Sequence, residues 1–122
     1  RETFTGITDA DRALTITELA SAAATVESAP TAYDPDDFAA AFRAPGHVHV
    51  LRGASGGIAD RVGHTELGLA LAAETGSAPA VVVCEMLDDE SGDALTPDDA
   101  AAYAARREIP YVEGAALVDA FQ

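Results

Sequence analysis

One six-residue stretch gathers side chains that could bind an anion or a metal ion. It reads Arg61-Val62-Gly63-His64-Thr65-Glu66 and lies between a glycine-rich loop and a strongly helical run. Backbone N–H groups at a helix start are unpaired and the helix dipole is positive there, so the stretch suits an anion such as phosphate. His64 adds an imidazole that can bind a metal or carry a proton. An ordinary capped loop would contain the same residue types, so both interpretations stay open at this point.

Two residues elsewhere in the chain could take part in proton transfer. Glu85 follows an apolar run over residues 81–84, and a carboxylate there is costly to bury alone, so it is either exposed at a strand end or held by a partner. Ligands of α/β proteins bind at such strand ends. His47 can act as an acid or base, or it can be a hydrogen-bonded structural histidine. His49, on the same face of the predicted strand, is interpreted as structural.

Other residues of reactive type receive structural interpretations. Cys84 is interpreted as a small buried hydrophobic residue, and Asp11 as a helix-capping acid. A nucleophile triad is not supported, because no Ser or Cys stands in an elbow-like sequence. The loop over residues 53–57 is rich in glycine but lacks the lysine of a nucleotide P-loop.

Cap signatures and apolar spacing predict the elements that must position these residues. Signatures at Thr8, Asp34 and Thr96 mark helix starts, the first as a capping box in which Asp11 replies to Thr8. The predicted helices run from Thr8 to the region 28–32, from Asp34 to Pro45-Gly46, and over residues 66–75, 97–108 and 114–121. The predicted strands are residues 47–51, 80–87 and 109–112, and 80–87 is expected to be buried because its apolar run is almost unbroken.

The alternation of helices and strands predicts an α/β fold, α+β by some schemes, with a layered, mixed, twisted sheet flanked by helices. A chain of 122 residues fits a single domain and is long enough for a hydrophobic core. The second helix is expected to turn Phe38, Ala41 and Phe42 inward.

The charge is strongly negative, since 21 Asp and Glu oppose 7 Arg, with no Lys, for a formal net charge of -14. Such a chain is repelled by nucleic-acid phosphates and anionic lipids, so neither nucleic acid nor a membrane is expected as a partner. The acids form either a surface for cations or basic partners, or a solvated coat of the halophilic type. Because they occur in nearly every segment, we favour the coat, and we expect a stability that does not fall as salt rises.

The remaining features indicate a cytoplasmic protein. Cys84 is the only cysteine, which excludes an intrachain disulfide and suits a reducing compartment. The first residues do not read as a signal peptide. The longest apolar run, residues 78–84, is far too short to cross a bilayer.

Five motifs follow one another along the chain. They are Thr5-Gly6-Ile7-Thr8-Asp9-Ala10-Asp11-Arg12-Ala13, Phe42-Arg43-Ala44-Pro45-Gly46-His47-Val48, Gly56-Gly57-Ile58, Arg61-Val62-Gly63-His64-Thr65-Glu66 and Cys84-Glu85. In type and order they closely resemble 3,4-dihydroxy-2-butanone 4-phosphate synthase, through essentially the whole chain. A lone Gly-His-Thr-Glu would be a weak signal, but the ordered set is specific.

The resemblance implies an activity, a cofactor and an assembly. Members of that family make the four-carbon precursor of riboflavin from D-ribulose 5-phosphate and release formate. They use a divalent metal ion, usually Mg²⁺, with Mn²⁺ as the alternative. They form homodimers whose active sites lie near the subunit boundary, so a homodimer is implied here as well.

The resemblance also implies residue roles. The substrate phosphate would be held by Arg61, Val62, Gly63, His64 and Thr65, and His64 would also be a metal ligand. His47 and Glu85 would be the acid/base pair for enolisation and rearrangement, and Glu85 would also contact the substrate. Proton removal beside a carbonyl needs such a positioned base.

Two departures from the family pattern are visible. His49 and Val50 replace the Phe and Pro of the family's Pro-Gly-His-Val-Phe-Pro-Leu, which alters packing beside the site. The family's first half carries an arginine-glutamate loop whose acids bind metal and substrate, and Arg1-Glu2 does not continue that pattern. We therefore expect this chain to be the C-terminal portion of the domain, somewhat more than half, without its N-terminal half.

Three interpretations follow. The chain is part of an enzyme whose full polypeptide catalyses the reaction, or a natural short chain that binds sugar phosphate or joins a separate first half, or a non-catalytic interaction module on the same scaffold. We favour the first. We also expect this chain alone to be inactive, because His64 by itself is a poor site for magnesium, which prefers oxygen ligands.

Overall fold

The computed structural model describes residues 2–121, which form five α-helices and one short 3₁₀ turn. The helices are α1 (Asp9–Ser28), α2 (Pro35–Ala41), α3 (His64–Glu74), α4 (Pro97–Arg107) and α5 (Gly114–Phe121), and the 3₁₀ turn is Gly57–Ala59. All five predicted helices are confirmed, although α2 ends earlier than expected and α3 begins two residues before its predicted start. Of the pair Arg1-Glu2, Arg1 lies outside the described residues.

The start of α1 is capped by Thr8, as the sequence predicts. The Thr8 hydroxyl oxygen accepts the backbone N–H of Asp11 at 3.2 Å. The Asp11 side chain also interacts with the Thr8 side chain, a contact that is among the causes of its lowered pKa. Its carboxylate further accepts the backbone N–H groups of Phe4, Thr5 and Gly6, at 3.4, 3.2 and 2.8 Å. These bonds lower the pKa of Asp11, with the Gly6 bond as the largest cause, and they tie the segment before α1 to its first turn.

The other two cap signatures are also confirmed. The Asp34 carboxylate accepts the N–H of Asp36 at 2.9 Å at the start of α2. The Thr96 hydroxyl oxygen accepts the N–H of Asp99 at 3.2 Å at the start of α4. Acidic residues occupy the first turn of both helices, where the positive end of the helix dipole favours them.

Helix α3 is the element against which the neighbouring segments pack. It contacts the 3₁₀ turn and α5. A Cβ atom added at Gly68 would lie 2.9 Å from Val81 Cγ2, and one added at Gly114 would lie 3.1 Å from Leu67 Cδ1. These glycines therefore permit close approach of the segment around Val81 and of α5 to α3. Gly76, with φ of 65°, follows the end of α3 as predicted, in the left-handed region that glycine favours.

The three predicted strands do not form a sheet within residues 2–121. The structure shows a single isolated antiparallel bridge there, between Leu87 and Ala94. It is flanked by backbone hydrogen bonds from Leu95 N–H to the Met86 carbonyl and from Asp88 N–H to the Asp93 carbonyl, both 2.8 Å. A strand is defined by its pairing with a neighbour, so the layered α/β sheet stays a prediction.

Burial is much lower than the sequence suggests. Among the described residues only Ala72, Ala104 and Glu66 are buried. The expectation that residues 80–87 are buried is wrong for this chain, since Val82 is 71% exposed, and Phe38 and Ala41 do not turn inward. An apolar segment is buried only where a second surface covers it, and the close approach of α3 at Val81 leaves residues 80–87 exposed. Phe38 and Phe42 pack on each other instead, with ring centroids 4.6 Å apart.

No helix within residues 2–121 combines the length and the apolar character that a membrane crossing needs.

Candidate functional site

The centre of the candidate site is an ion pair between Arg61 and Glu66. Arg61 Nη2 donates to Glu66 Oε1 at 2.7 Å, and Arg61 Nε donates to Glu66 Oε2 at 3.0 Å. Glu66 is only 2% exposed, whereas the Arg61 side chain is 58% exposed. The guanidinium therefore has one edge on a buried carboxylate and the remainder open to solvent.

A third donor completes the environment of the Glu66 carboxylate. The backbone N–H of Ala54 donates to Glu66 Oε1 at 2.9 Å. The Arg61 bonds, followed by the Ala54 bond, lower the pKa of Glu66 to about 2, and the same ion pair raises the pKa of Arg61. Both side chains are therefore charged at neutral pH, and the carboxylate needs no further partner.

Two glycines leave room for this carboxylate. A Cβ atom added at Gly63 would lie 2.9 Å from Glu66 Oε2, and one added at Gly53 would lie 3.8 Å from Glu66 Oε1 and 2.7 Å from Leu69 Cδ1. The carboxylate thus lies between the turn before α3 and the glycine-rich loop. Glycine at position 63 is explained by this close approach rather than by its backbone, since its φ is −133°.

The first turn of α3 offers backbone donors. Gly63 is the N-cap residue and provides no side-chain cap, and the carbonyl of Gly63 accepts the N–H of Leu67 at 3.0 Å. Within residues 2–121 the N–H groups of His64 and Thr65 have no hydrogen-bond acceptor. Together with the exposed part of Arg61 they form a donor-rich surface of the kind that binds anions.

The glycine-rich loop is not a second anion site. The Gly56 N–H donates to Asp60 Oδ2 at 2.8 Å, and the Gly57 N–H donates to the Ala54 carbonyl at 2.9 Å. With the Ala54 N–H already bound to Glu66, the loop directs these donors to its own chain.

His47 lies in a different part of the described chain. It is exposed in a bend rather than on a strand, and it lines a cavity of about 1050 Å³ together with Thr5, Gly6 and Phe42. A Cβ atom at Gly6 would lie 3.5 Å from His47 Cδ2, so the segment held by Asp11 lies beside the imidazole.

Glu85 is exposed, in a segment without regular structure that precedes the Leu87 bridge. Of the two alternatives for this carboxylate, exposure to solvent or a buried position beside a partner, the described chain shows exposure. Cys84 is also exposed, contrary to its interpretation as buried. The cavity at His47 is lined neither by Glu85 nor by residues 61–65, so the structure does not bring the three parts of the predicted site into that cavity.

The described residues do not provide a metal site by themselves. No group of three or more His, Cys, Asp or Glu within residues 2–121 is arranged to hold a metal ion. His64 is exposed at the first residue of α3 and would offer one nitrogen ligand. Mg²⁺ prefers oxygen ligands in octahedral geometry, so this donor set does not fit the ion without further carboxylates.

The sequence does not reveal the contacts that Glu66 and Asp11 make in the structure. The sequence indicates no separate function for Glu66 within the opening motif, and it predicts Asp11 only as a helix cap. A signal for Glu66 exists in the sequence. An acid in the first turn of a helix, five residues after an arginine and three after a glycine N-cap, can fold back on that arginine.

The chain matches known proteins over nearly its full length. Residues 1–120 match a family model described as 3,4-dihydroxy-2-butanone 4-phosphate synthase. The chain is 47% identical to the protein of that name from Archaeoglobus fulgidus, over 100% of this chain and 50% of that protein. It is 42% identical to the protein of that name from Methanothermobacter thermautotrophicus, over 99% of this chain and 50% of that protein.

The name of a further relative refers to riboflavin biosynthesis. The chain is 40% identical, over 79% of its length, to "Riboflavin biosynthesis protein RibBA" from Aquifex aeolicus, of which it covers 20%. With the first two relatives, this shows that the chain spans about half the length, or less, of the curated proteins it matches.

Proposed function

Because the chain belongs to the 3,4-dihydroxy-2-butanone 4-phosphate synthase family, we propose that the full-length protein converts D-ribulose 5-phosphate to L-3,4-dihydroxy-2-butanone 4-phosphate and formate in riboflavin biosynthesis. The family match over residues 1–120 is the observation that carries this proposal. The donor-rich turn before α3 supports it, since a sugar phosphate needs such a phosphate site.

The substrate phosphate binds at Arg61, Val62, Gly63, His64 and Thr65. Guanidinium groups have five N–H donors, and Glu66 uses two of those on Arg61, which leaves three for phosphate oxygens. The unpaired N–H groups of His64 and Thr65 add backbone donors at the positive end of α3. Val62 and Gly63 contribute to this turn through the backbone.

His47 and Glu85 are the acid/base pair for enolisation and rearrangement. Both side chains are exposed and so are open to a substrate. General acid/base catalysis requires them within hydrogen-bond reach of the reacting carbons and oxygens. Their convergence on one substrate therefore belongs to the complete protein.

His64 is one ligand of Mg²⁺ or Mn²⁺, and carboxylates from outside this chain complete the site. When bound, the ion would stabilise the negative charge that develops on the enediolate oxygens.

The assembly and the compartment belong to the same proposal. The full-length protein is a homodimer, as its family membership suggests, and it acts in the cytoplasm. The single cysteine suits a reducing compartment, and the acidic coat suits a saline one.

The proposal is tested by formate release from ribulose 5-phosphate in the full-length protein with Mg²⁺. Glu85→Gln should lower kcat by at least about 10²-fold while leaving the fold intact, the size typical of a lost acid/base group. His64→Ala should also abolish most of the turnover, because it removes a metal ligand. Glu90→Gln, which removes an exposed carboxylate from a nearby turn, is the matched control and should keep normal turnover. Near-normal rates in both site variants would reject the residue assignment.

The competing function is a non-catalytic sugar-phosphate-binding or interaction subunit on the same scaffold. It would give binding of ribulose 5-phosphate by the full-length protein without formate release. The 122-residue chain alone should release no formate, because its metal donor set is incomplete. Turnover by this chain alone would contradict that expectation.

A further inference from the structure

We propose that Glu66 is a positioning residue, which fixes the Arg61 guanidinium in the orientation that binds the substrate phosphate. The inference rests on the proposed function for the identity of the phosphate-bearing ligand. It assigns a role to a residue that does not itself contact the substrate. Its basis is the two-bond contact between Glu66 and Arg61, the burial of the carboxylate, and the third bond from the Ala54 N–H.

The geometry of the pair favours positioning over a purely structural role. An arginine side chain is long and flexible, and holding it in one orientation before a ligand arrives removes part of the entropic cost of binding. Glu66 binds Nε and Nη2, which fixes the plane of the guanidinium. The remaining N–H groups of Arg61 belong to a side chain that is 58% exposed, so they are open to a phosphate from solvent.

The negative charge of Glu66 would oppose phosphate binding if it were unpaired. It is instead compensated by Arg61 and by the Ala54 N–H, and the carboxylate itself is buried. Positioning and charge repulsion therefore predict opposite signs for a neutral substitution. If Glu66 acts mainly by positioning, Glu66→Gln weakens phosphate binding. If its charge dominates, the same change strengthens it.

A second substitution perturbs the carboxylate without changing its charge. An added Cβ at Gly63 would lie 2.9 Å from Glu66 Oε2, and the φ of −133° at Gly63 is open to any residue. Gly63→Ala should therefore displace the carboxylate rather than strain the backbone. It should weaken phosphate binding in the same direction as Glu66→Gln, and it keeps the proposal testable if Glu66→Gln does not fold.

The experiment measures the Kd of inorganic phosphate for the full-length protein by titration calorimetry, with no turnover involved. Glu66→Gln should raise the Kd about tenfold, the size of a lost charge-assisted contact. Arg61→Met should raise it further. The double variant should match Arg61→Met alone, because Glu66 acts through Arg61. Glu74→Gln, which removes an exposed carboxylate at the other end of α3, should leave the Kd unchanged.

The outcomes separate this inference from the proposed function. Formate release by the wild-type protein tests the function, whereas phosphate affinity tests the inference. Phosphate binding that is unchanged or tighter in Glu66→Gln would overturn the inference, as would additive effects in the double variant. Failure of the wild-type protein to bind phosphate would overturn it too. Weaker binding in Glu66→Gln without any formate release by the wild type would leave the inference standing and reject the function.

Discussion

The carboxylate of Asp11 shows how one side chain can organise a segment that has no regular structure. It accepts three backbone N–H groups, from Phe4, Thr5 and Gly6, and Gly6 lies beside the imidazole of His47. A residue that the sequence suggests is only a helix cap therefore also controls the segment that borders a proposed catalytic histidine.

The stability contribution of Asp11 should depend on pH. Its folded-state pKa is lowered from the ordinary 3.8, first by the Gly6 N–H. The contribution is therefore fully present above pH 3.8 and is lost as the pH falls below it. Asp11→Asn should lower the Tm of the full-length protein by about 3 °C at neutral pH. That difference should shrink towards zero in acid, as thermal unfolding over a pH series would show.

A matched variant makes the Asp11 measurement specific. Asp89→Asn removes a carboxylate from an exposed turn position and should leave the Tm close to that of the wild type at every pH. If Asp11→Asn and Asp89→Asn gave the same pH profile, the carboxylate at position 11 would not organise the segment before α1.

Two glutamates show which side-chain roles the sequence does and does not reveal. The apolar run before Glu85 suggests that this carboxylate could be buried beside a partner, yet it is exposed in the described chain. Glu66 looks like an ordinary first-turn acid, yet it is the most buried charged residue described. Its burial depends on the Ala54 N–H, twelve residues away along the chain, and that contact is fixed by packing of the loop rather than by local sequence.

At the scale of elements, the start of α4 rests on a reciprocal contact. The Thr96 hydroxyl oxygen accepts the Asp99 N–H, and the Thr96 hydroxyl donates to Asp99 Oδ2 at 2.6 Å. Thr96→Ala should lower the free energy of unfolding by about 1 kcal/mol, since it leaves a helix N–H without its cap. Thr96→Ser should retain most of the stability. Denaturant unfolding of the full-length protein measures both, and equal losses in the Ala and Ser variants would show that the cap contributes little.

Helices were predictable from the sequence because their signals are local. The caps at Thr8, Asp34 and Thr96 each bond within a few residues, so a short window of sequence contains the whole interaction. A strand has no such local definition. Residues 80–87 have an apolar, β-branched composition, but a ladder also needs a neighbouring strand, and no described segment pairs with them beyond the Leu87 bridge.

The candidate site also has a part that local sequence predicts and a part that depends on long-range packing. The helix start and the exposed donors at residues 61–65 could be predicted because they are adjacent in sequence, whereas their binding of an anion stays a prediction. The relation of His47 and Glu85 to that turn depends on long-range packing, which the order of motifs does not specify. Their proposed roles come from the resemblance to the family. Whether His47 and Glu85 lie close to the turn depends on the fold of the full-length protein.

At the scale of the whole molecule, two properties of the surface stand in contrast. The formal net charge of -14 favours solubility and disfavours compaction through self-repulsion. Yet large apolar side chains are exposed in all three predicted strand segments, for example Val50 at 70%, Val82 at 71% and Val112 at 53%. Single exposed apolar residues are common, but three segments of strand-like composition indicate a surface that another part of a protein covers.

We expect that surface to be covered, in the full-length protein, by a part that corresponds to the unmatched half of the first two relatives. The contact would be a mixed sheet that includes residues 47–51, 80–87 and 109–112. Strand pairing would give the backbone N–H groups of residues 81–84 acceptors that the described chain does not provide. Amide hydrogen exchange in residues 80–84 should therefore be slower in the full-length protein than in the 122-residue chain, by at least about 10³-fold if these strands belong to its stable core. Amides in the middle of α1, whose hydrogen bonds are internal to the helix, serve as the reference because they should gain less protection than the strand segment. Exchange in residues 80–84 that stays equally fast in the full-length protein would rule out the α/β sheet for this part of the chain.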